Sequence, residues 1–124
     1  MITAVSKVVI PITDQEAAKE FWTTVVGFEA TLDAEYGGGE RWIEVTPPDG
    51  APSLILSKDG PGGDGPKPDG DLPDSPVFFT CRDVERTYRD LTERGVRFPT
   101  PPRKLEFGWW SVFEDHEGRR YALG

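Results

Sequence analysis

The sequence predicts an α+β fold built from two tandem βαβββ modules. Three observations carry this reading: the same order of hydrophobic periodicities in both halves, a repeat at a nearly constant offset, and a Gly/Pro/Asp-rich stretch between the halves. In the first half, Ala4 to Ile12 is rich in β-branched residues, which favour a pleated strand. Thr13 and Glu16 then fit a capping box, and Ala17, Ala18, Phe21, Trp22 and Val25 recur at helical spacing before Gly27. The spacing predicts an amphipathic helix over 14–26. FEATLDAEY, ERWIEVT and PSLILS follow as three strands, separated by the GGG turn at 37–39 and the PPDG turn at 47–50.

Residues 59–75 read DGPGGDGPKPDGDLPDS and show no periodicity, so they predict a linker or loop. Gly60, Gly62 and Gly65 match a dinucleotide-binding glycine pattern in form only. Pro61, Pro66 and Pro68 forbid the helix whose N-terminus would hold a pyrophosphate. After the linker, PVFFTC predicts a strand, Asp83 caps a helix striped by Val84, Tyr88 and Leu91 and closed by Gly95, and VRFPT, LEFGWWSVFE and RRYAL predict three more strands. Module one therefore covers 4–58 and module two 76–124, within one expected domain over 1–124.

The halves align as sequence. Trp42 to Gly50 (WIEVTPPDG) and Trp110 to Gly118 (WSVFEDHEG) lie 68 positions apart, and the helix caps Asp14 and Asp83 lie 69 apart. The lone histidine, His116, falls in DHEG, which takes the place of PPDG, so the sequence places it at an exposed turn rather than in a reactive cluster.

Fourteen Lys and Arg against 22 Asp and Glu give a net charge of −8, which repels phosphate and argues against nucleic acid or an anionic membrane as partner. One cysteine, Cys81, excludes an internal disulfide and reads as a small buried hydrophobe. The N-terminus lacks the apolar core of a signal peptide and no run approaches a membrane span, so the expected location is cytoplasmic.

V-x-I-P-I-x-D-x-x-x-A-x-x-F-W over 8–22, V-G-F over 26–28 and the closing D-x-x-G turn at 115–118 resemble the vicinal oxygen chelate superfamily. That group holds glyoxalase I, extradiol dioxygenases, fosfomycin resistance enzymes and bleomycin resistance proteins. The resemblance spans 5–123 and implies curled mixed sheets around a cavity, helices outside, and assembly as a homodimer. Metal-dependent members set ligands at points that here fall on Lys7, Leu54, Pro76 and Ala122. None of these is a usual ligand, and one-residue shifts to Ser6, Ser53, Ser75 or Tyr121 do not make a site. The resemblance is therefore nearest in type to metal-free, bleomycin resistance-like members, with no metal or other cofactor expected.

Period-2 alternation then sorts the strands. With those four points inward, Val9, Pro11, Leu56, Phe78, Thr80 and Arg120 also face the cavity, while Val8, Ile10, Ile12, Val77, Phe79, Cys81 and Leu123 face the helices. Placing Ile43, Val45 and Phe113 under helices turns Trp42, Glu44, Trp110 and Val112 inward. The expected ligand-binding set is thus Lys7, Val9, Trp42, Glu44, Leu54, Leu56, Phe78, Trp110, Val112 and Arg120. Indole walls beside a buried carboxylate suit an aromatic, cationic small molecule. Equally open are plain packing for Trp42 and Trp110, a surface pair of Glu44 with an arginine, and a Lys7 that only reaches water from a strand end.

Two functions follow from this set. One is a metal-free protein that sequesters an aromatic, cationic compound, as resistance proteins do with antibiotics. The other is an enzyme of the same superfamily, a lyase, isomerase or dioxygenase-like protein, with Glu44 as catalytic acid/base and Lys7 or Arg120 stabilising an oxyanion; this needs a carboxylate shifted toward neutral pH. A metal-dependent enzyme would require a nearly all-carboxylate ligand set, given the lone histidine.

Overall fold

The structure is a computed structural model and describes residues 1–58, 60 and 72–124. Most of the expected linker, including the Gly62 and Gly65 positions, lies outside the described residues. The chain divides into two compact units, Met1–Asp64 and Gly65–Gly124. Each carries an open four-stranded mixed sheet of the same order, so the α+β reading with tandem βαβββ units holds.

Unit 1 contains β1 (Lys7–Pro11), α1 (Gln15–Glu20), β2 (Glu29–Glu35), β3 (Arg41–Thr46) and β4 (Ser53–Ser57), in sheet order β1-β4-β3-β2. β1 runs parallel to β4 and the other pairs are antiparallel. The N-cap of α1 is Asp14, whose carboxylate accepts the Ala17 N–H at 3.0 Å, one residue later than the Thr13 capping box. The helix does not stay α-helical to Val26. Over Phe21–Val25 it widens to a π-helical turn, with Val26 N–H donating to Phe21 C=O at 3.0 Å. Thr23 supplies a reason, since its hydroxyl donates to Lys19 C=O at 2.7 Å and competes for the regular ladder.

One face of this sheet is the core. Ile10, Ile12, Ile43, Val45, Leu54 and Leu56 are buried together with Ala18, Phe21 and Trp22 of the helical segment. Gln15 at the start of α1 fixes the sheet under it. Its side-chain amide donates to Leu56 C=O at 3.0 Å and to Arg41 C=O at 2.5 Å, and its carbonyl accepts Arg41 N–H at 3.2 Å.

Unit 2 contains β5 (Phe78–Phe79), α2 (Val84–Glu93), β6 (Thr100–Leu105), β7 (Gly108–Glu114) and β8 (Arg120–Leu123), in order β5-β8-β7-β6. Asp83 caps α2 by accepting Arg86 N–H at 3.0 Å, and Gly95 closes it at φ 94°. Its core is aromatic: Phe113 stacks on Tyr121 at 5.4 Å, Phe79 meets Tyr121 edge-on at 5.6 Å, and Tyr88 of α2 meets Phe98 edge-on at 4.9 Å.

Two boundaries differ from the sequence reading. β5 is two residues long rather than six, beside Pro76, which has no N–H to pair. β6 begins where the expected VRFPT strand ends, and runs through Pro101 and Pro102 to a hairpin at Glu106-Phe107. Prolines inside a strand are tolerable here because β6 is an edge, where one side of the backbone needs no partner. Cys81 is half-buried rather than buried.

Candidate functional site

The face of each sheet turned away from its core collects the candidate residues. In unit 1 the register β1↔β4↔β3 sets this face. Val9 pairs Ile55, Ile55 pairs Glu44 and Glu44 pairs Leu32, so these four share it with Lys7 and Trp42. Lys7, Val9, Trp42 and Glu44 are therefore brought together as expected. Leu54 and Leu56 are not. They align with Val8, Ile10 and Val45 on the core side, so the alternation of β4 is one residue out of phase with the one the sequence predicts. In a run as uniformly apolar as LIL, periodicity could not settle the phase; the parallel register with β1 does.

Glu44 is the chemical centre of this face. It is 6% exposed, and its Oε2 accepts the Trp42 indole Nε1–H at 2.7 Å and the Lys7 ammonium at 2.9 Å. Those two donors, the indole first, hold the carboxyl below its ordinary range despite burial, which alone would raise it. Both donors use Oε2, and among the described residues none donates to Oε1. Trp42 itself is 41% exposed and meets Tyr36 edge-on at 6.2 Å. Val9 and Leu32 are also exposed, so the carboxylate sits in an apolar surround. Beside it, Thr46 shares short hydroxyl contacts of 2.8 Å with both Thr31 and Ser53.

In unit 2 the register places Phe78, Ala122 and Val112 on one face, with Arg120 and Trp110 at alternate positions of the same strands. All four predicted site residues of this half, Phe78, Trp110, Val112 and Arg120, share it. Phe78 meets Trp110 edge-on at 5.9 Å and is 67% exposed, while Val112 is fully buried. Arg103 also belongs here, as the direct cross-strand partner of Trp110. Reading the strand as ending at Thr100 hid it. In unit 1, Leu32 and Tyr36 were also missed, although Leu32 follows the alternation once the bulge between Ala30 and Leu32 is allowed for.

The DHEG segment is a turn, as expected. Asp115 is buried and accepts N–H from Glu117 at 2.9 Å and Arg119 at 3.0 Å and the Tyr121 hydroxyl at 3.0 Å. Burial pushes the Asp115 carboxyl up from its ordinary value, partly offset by those donors. The neighbouring Tyr121 phenol is pushed up by burial and by the Asp115 charge.

The residues at the ligand points that the resemblance implies do not fit a divalent ion. Lys7 is a cation paired with Glu44, Leu54 lies on the core face and Ala122 is a buried methyl, while Ile55 and Ser53 are what β4 sets on the open face. Among the described residues no three His, Cys, Asp or Glu side chains gather as a ligand set. Nor is any described helix long and apolar enough to cross a membrane.

Comparison with known proteins agrees with this architecture. Residues 4–122 match the model of the Glyoxalase/Bleomycin resistance protein/Dioxygenase superfamily. The chain belongs to that family. It is 30% identical to the uncharacterized protein YetH of Bacillus subtilis (strain 168), covering 99% of this chain and 98% of YetH. Among solved structures it is similar to a member of the same superfamily from Sphaerobacter thermophilus DSM 20745, with 32% identity and a TM-score of 0.81 over 98% of this chain and 96% of that one. It is likewise similar to TnmS3, an antibiotic binding protein from Streptomyces sp. CB03234, with 31% identity and a TM-score of 0.80 over 99% and 95% of the two chains.

Proposed function

We propose that the protein binds a small aromatic compound carrying a cationic or hydrogen-bond-donating group, sequestering it as bleomycin resistance-type proteins do, with Trp42 as stacking wall and Glu44 as anchor. The observation that carries this reading is the geometry at Glu44. A buried carboxylate has one oxygen fixed by Trp42 and Lys7 and the other open to a donor, beside a half-exposed indole. A guest that stacks on Trp42 and donates to Oε1 would meet a charge already oriented, so little ordering entropy is lost on binding. Similarity to an antibiotic binding protein supports the same class of ligand.

The acid/base alternative is less well supported. A general base works best with its pKa near the working pH, and both donors on Glu44 move it the other way. Glu44 thus serves as a fixed negative charge rather than a proton carrier.

Isothermal titration with bleomycin and a panel of planar cationic antibiotics tests this. At least one should bind, and Glu44→Gln should weaken it about tenfold, the scale of one lost charge-assisted contact. Trp42→Ala should weaken the same ligand further. Absence of binding across the panel, or equal binding by Glu44→Gln, would overturn the reading.

A further inference from the structure

We propose that the outer edge of β2 is a docking site for an extended peptide in which cationic and apolar side chains alternate, added to the sheet of unit 1 as a further strand. The surface is the rim of the sheet rather than its open face, and the inference does not depend on what Glu44 binds.

Each sheet has two outer strands, and three of the four offer little to pair with. β1 ends on Pro11, β5 is two residues long, and β6 runs through Pro101 and Pro102, which have no N–H to give. β2 differs: it is seven residues long, has no proline and is exposed at six of its positions. Its unused backbone groups follow from the register. Tyr36 N–H donates to Glu40 C=O at 3.2 Å, and along an antiparallel pair inward and outward bonding alternates. Ala34 and Leu32, opposite Trp42 and Glu44, therefore bond toward β3, while the N–H and C=O of Asp33 and Glu35 point to the free edge. That row of donors and acceptors is a template for another strand.

The side chains set the chemistry of what fits. A strand added to β2 lays one row of side chains beside Leu32, Ala34 and Tyr36, and the alternate row beside Asp33 and Glu35. Leu32 and Tyr36 are large, apolar and exposed, so the first row should be apolar. Of the second, Asp33 is held by Arg41 and Lys19, whereas Glu35, and Glu29 at the start of the strand, make no ion pair among the described residues. Unit 1 as a whole is acidic, with four of the 14 Lys and Arg but 11 of the 22 Asp and Glu. A cationic row is attracted by this field. A second copy of β2 is not, because it would bring acidic strand against acidic strand. In strand addition the backbone bonds supply affinity and the alternate side chains supply specificity.

The test titrates the acetylated, amidated peptide KVKVKVK into the full chain and follows backbone amides by NMR and hydrogen exchange. The Asp33 and Glu35 amides should become protected. Because the peptide lysines lie beside Asp33 and Glu35, their own N–H groups face β2, so N-methylation of the two inner lysine backbone nitrogens should weaken binding at least about tenfold. N-methylation of the valines, which face away, should leave it unchanged. Glu35→Pro removes an outward N–H and no bond to β3, and should abolish binding, whereas Glu35→Gln should weaken it only about threefold. Should Glu35→Pro fail to fold, the methylated peptides decide alone. The proposal is overturned if KVKVKVK does not bind, if the lysine-methylated peptide or the block sequence KKKKVVV binds equally well, or if the Asp33 and Glu35 amides are already protected in the free chain, which would mean that a second copy occupies the edge. Failure of the cationic panel at Glu44 changes none of these outcomes.

Discussion

Where unit 1 carries Glu44, unit 2 carries Val112 at the equivalent strand position, and where Trp42 faces Ala34 across the strand pair, Trp110 faces Arg103. Both tryptophans keep an aromatic neighbour at an edge-on angle, Tyr36 in one unit and Phe78 in the other. The sheet order and the helix caps are the same. A repeated scaffold has thus kept its indole, its sheet order and its caps while changing the charge beside that indole. What differs is the charge beside each indole; what is shared is the indole with its edge-on neighbour, the sheet order and the caps.

Exchanging the central residues should break this comparison most sharply. Val112→Glu puts a carboxylate at a position with no exposure, and Pro76 stands where unit 1 has Lys7, so a loss of about 2–4 kcal/mol in urea unfolding is expected. The converse, Glu44→Val, leaves a half-exposed lysine and a half-exposed indole that can both turn to water. It should cost less than about 1 kcal/mol.

Acid should separate the units next. Glu44 and Asp33 in unit 1 are both held below their ordinary values. For Glu44 the Trp42 and Lys7 donors are responsible, and for Asp33 those of Arg41 and Lys19. Their stabilisation is present above the unfolded values of 4.5 and 3.8 and is lost as pH falls through the lower folded values. Asp115 in unit 2 is raised, so its folded form favours the proton; its contribution is present below 3.8 and is lost as pH rises above it. Amide exchange between pH 6 and about 3 should therefore show unit 1 losing protection before unit 2.

The smallest effect sharpens the likeness instead. Asp14→Ala and Asp83→Ala each remove one carboxylate cap with the same donor geometry of 3.0 Å, and each should cost about 1 kcal/mol in thermal unfolding. Unequal costs would mean that the π-helical turn after α1 has changed what the cap supports.

The legibility of the sequence followed the same division. Caps, glycine stops and alternating strands with clear polar positions, such as RWIEVT and GWWSVFE, declare both element and face, and the register keeps Trp42 with Glu44 and Trp110 with Val112 on one face each. Leu54 and Leu56 lie on the core face instead, because an unbroken apolar run carries no phase for the sequence to declare. Arg103 was hidden by two prolines that local rules exclude from a strand, and only the edge position of β6 makes them acceptable. The pairing of Glu44 with Trp42 and Lys7 lay beyond sequence reach, since Lys7 is 37 residues away and joins through β4.

Gln15 grips two strands of unit 1 through three neutral contacts to backbone atoms. Neither protonation nor salt weakens such a clamp appreciably, and it asks nothing of the side chains on the far surface. Strand alignment is thereby insured from beneath, and the exposed side can trade charge, size or polarity to suit a new guest without the framework slipping.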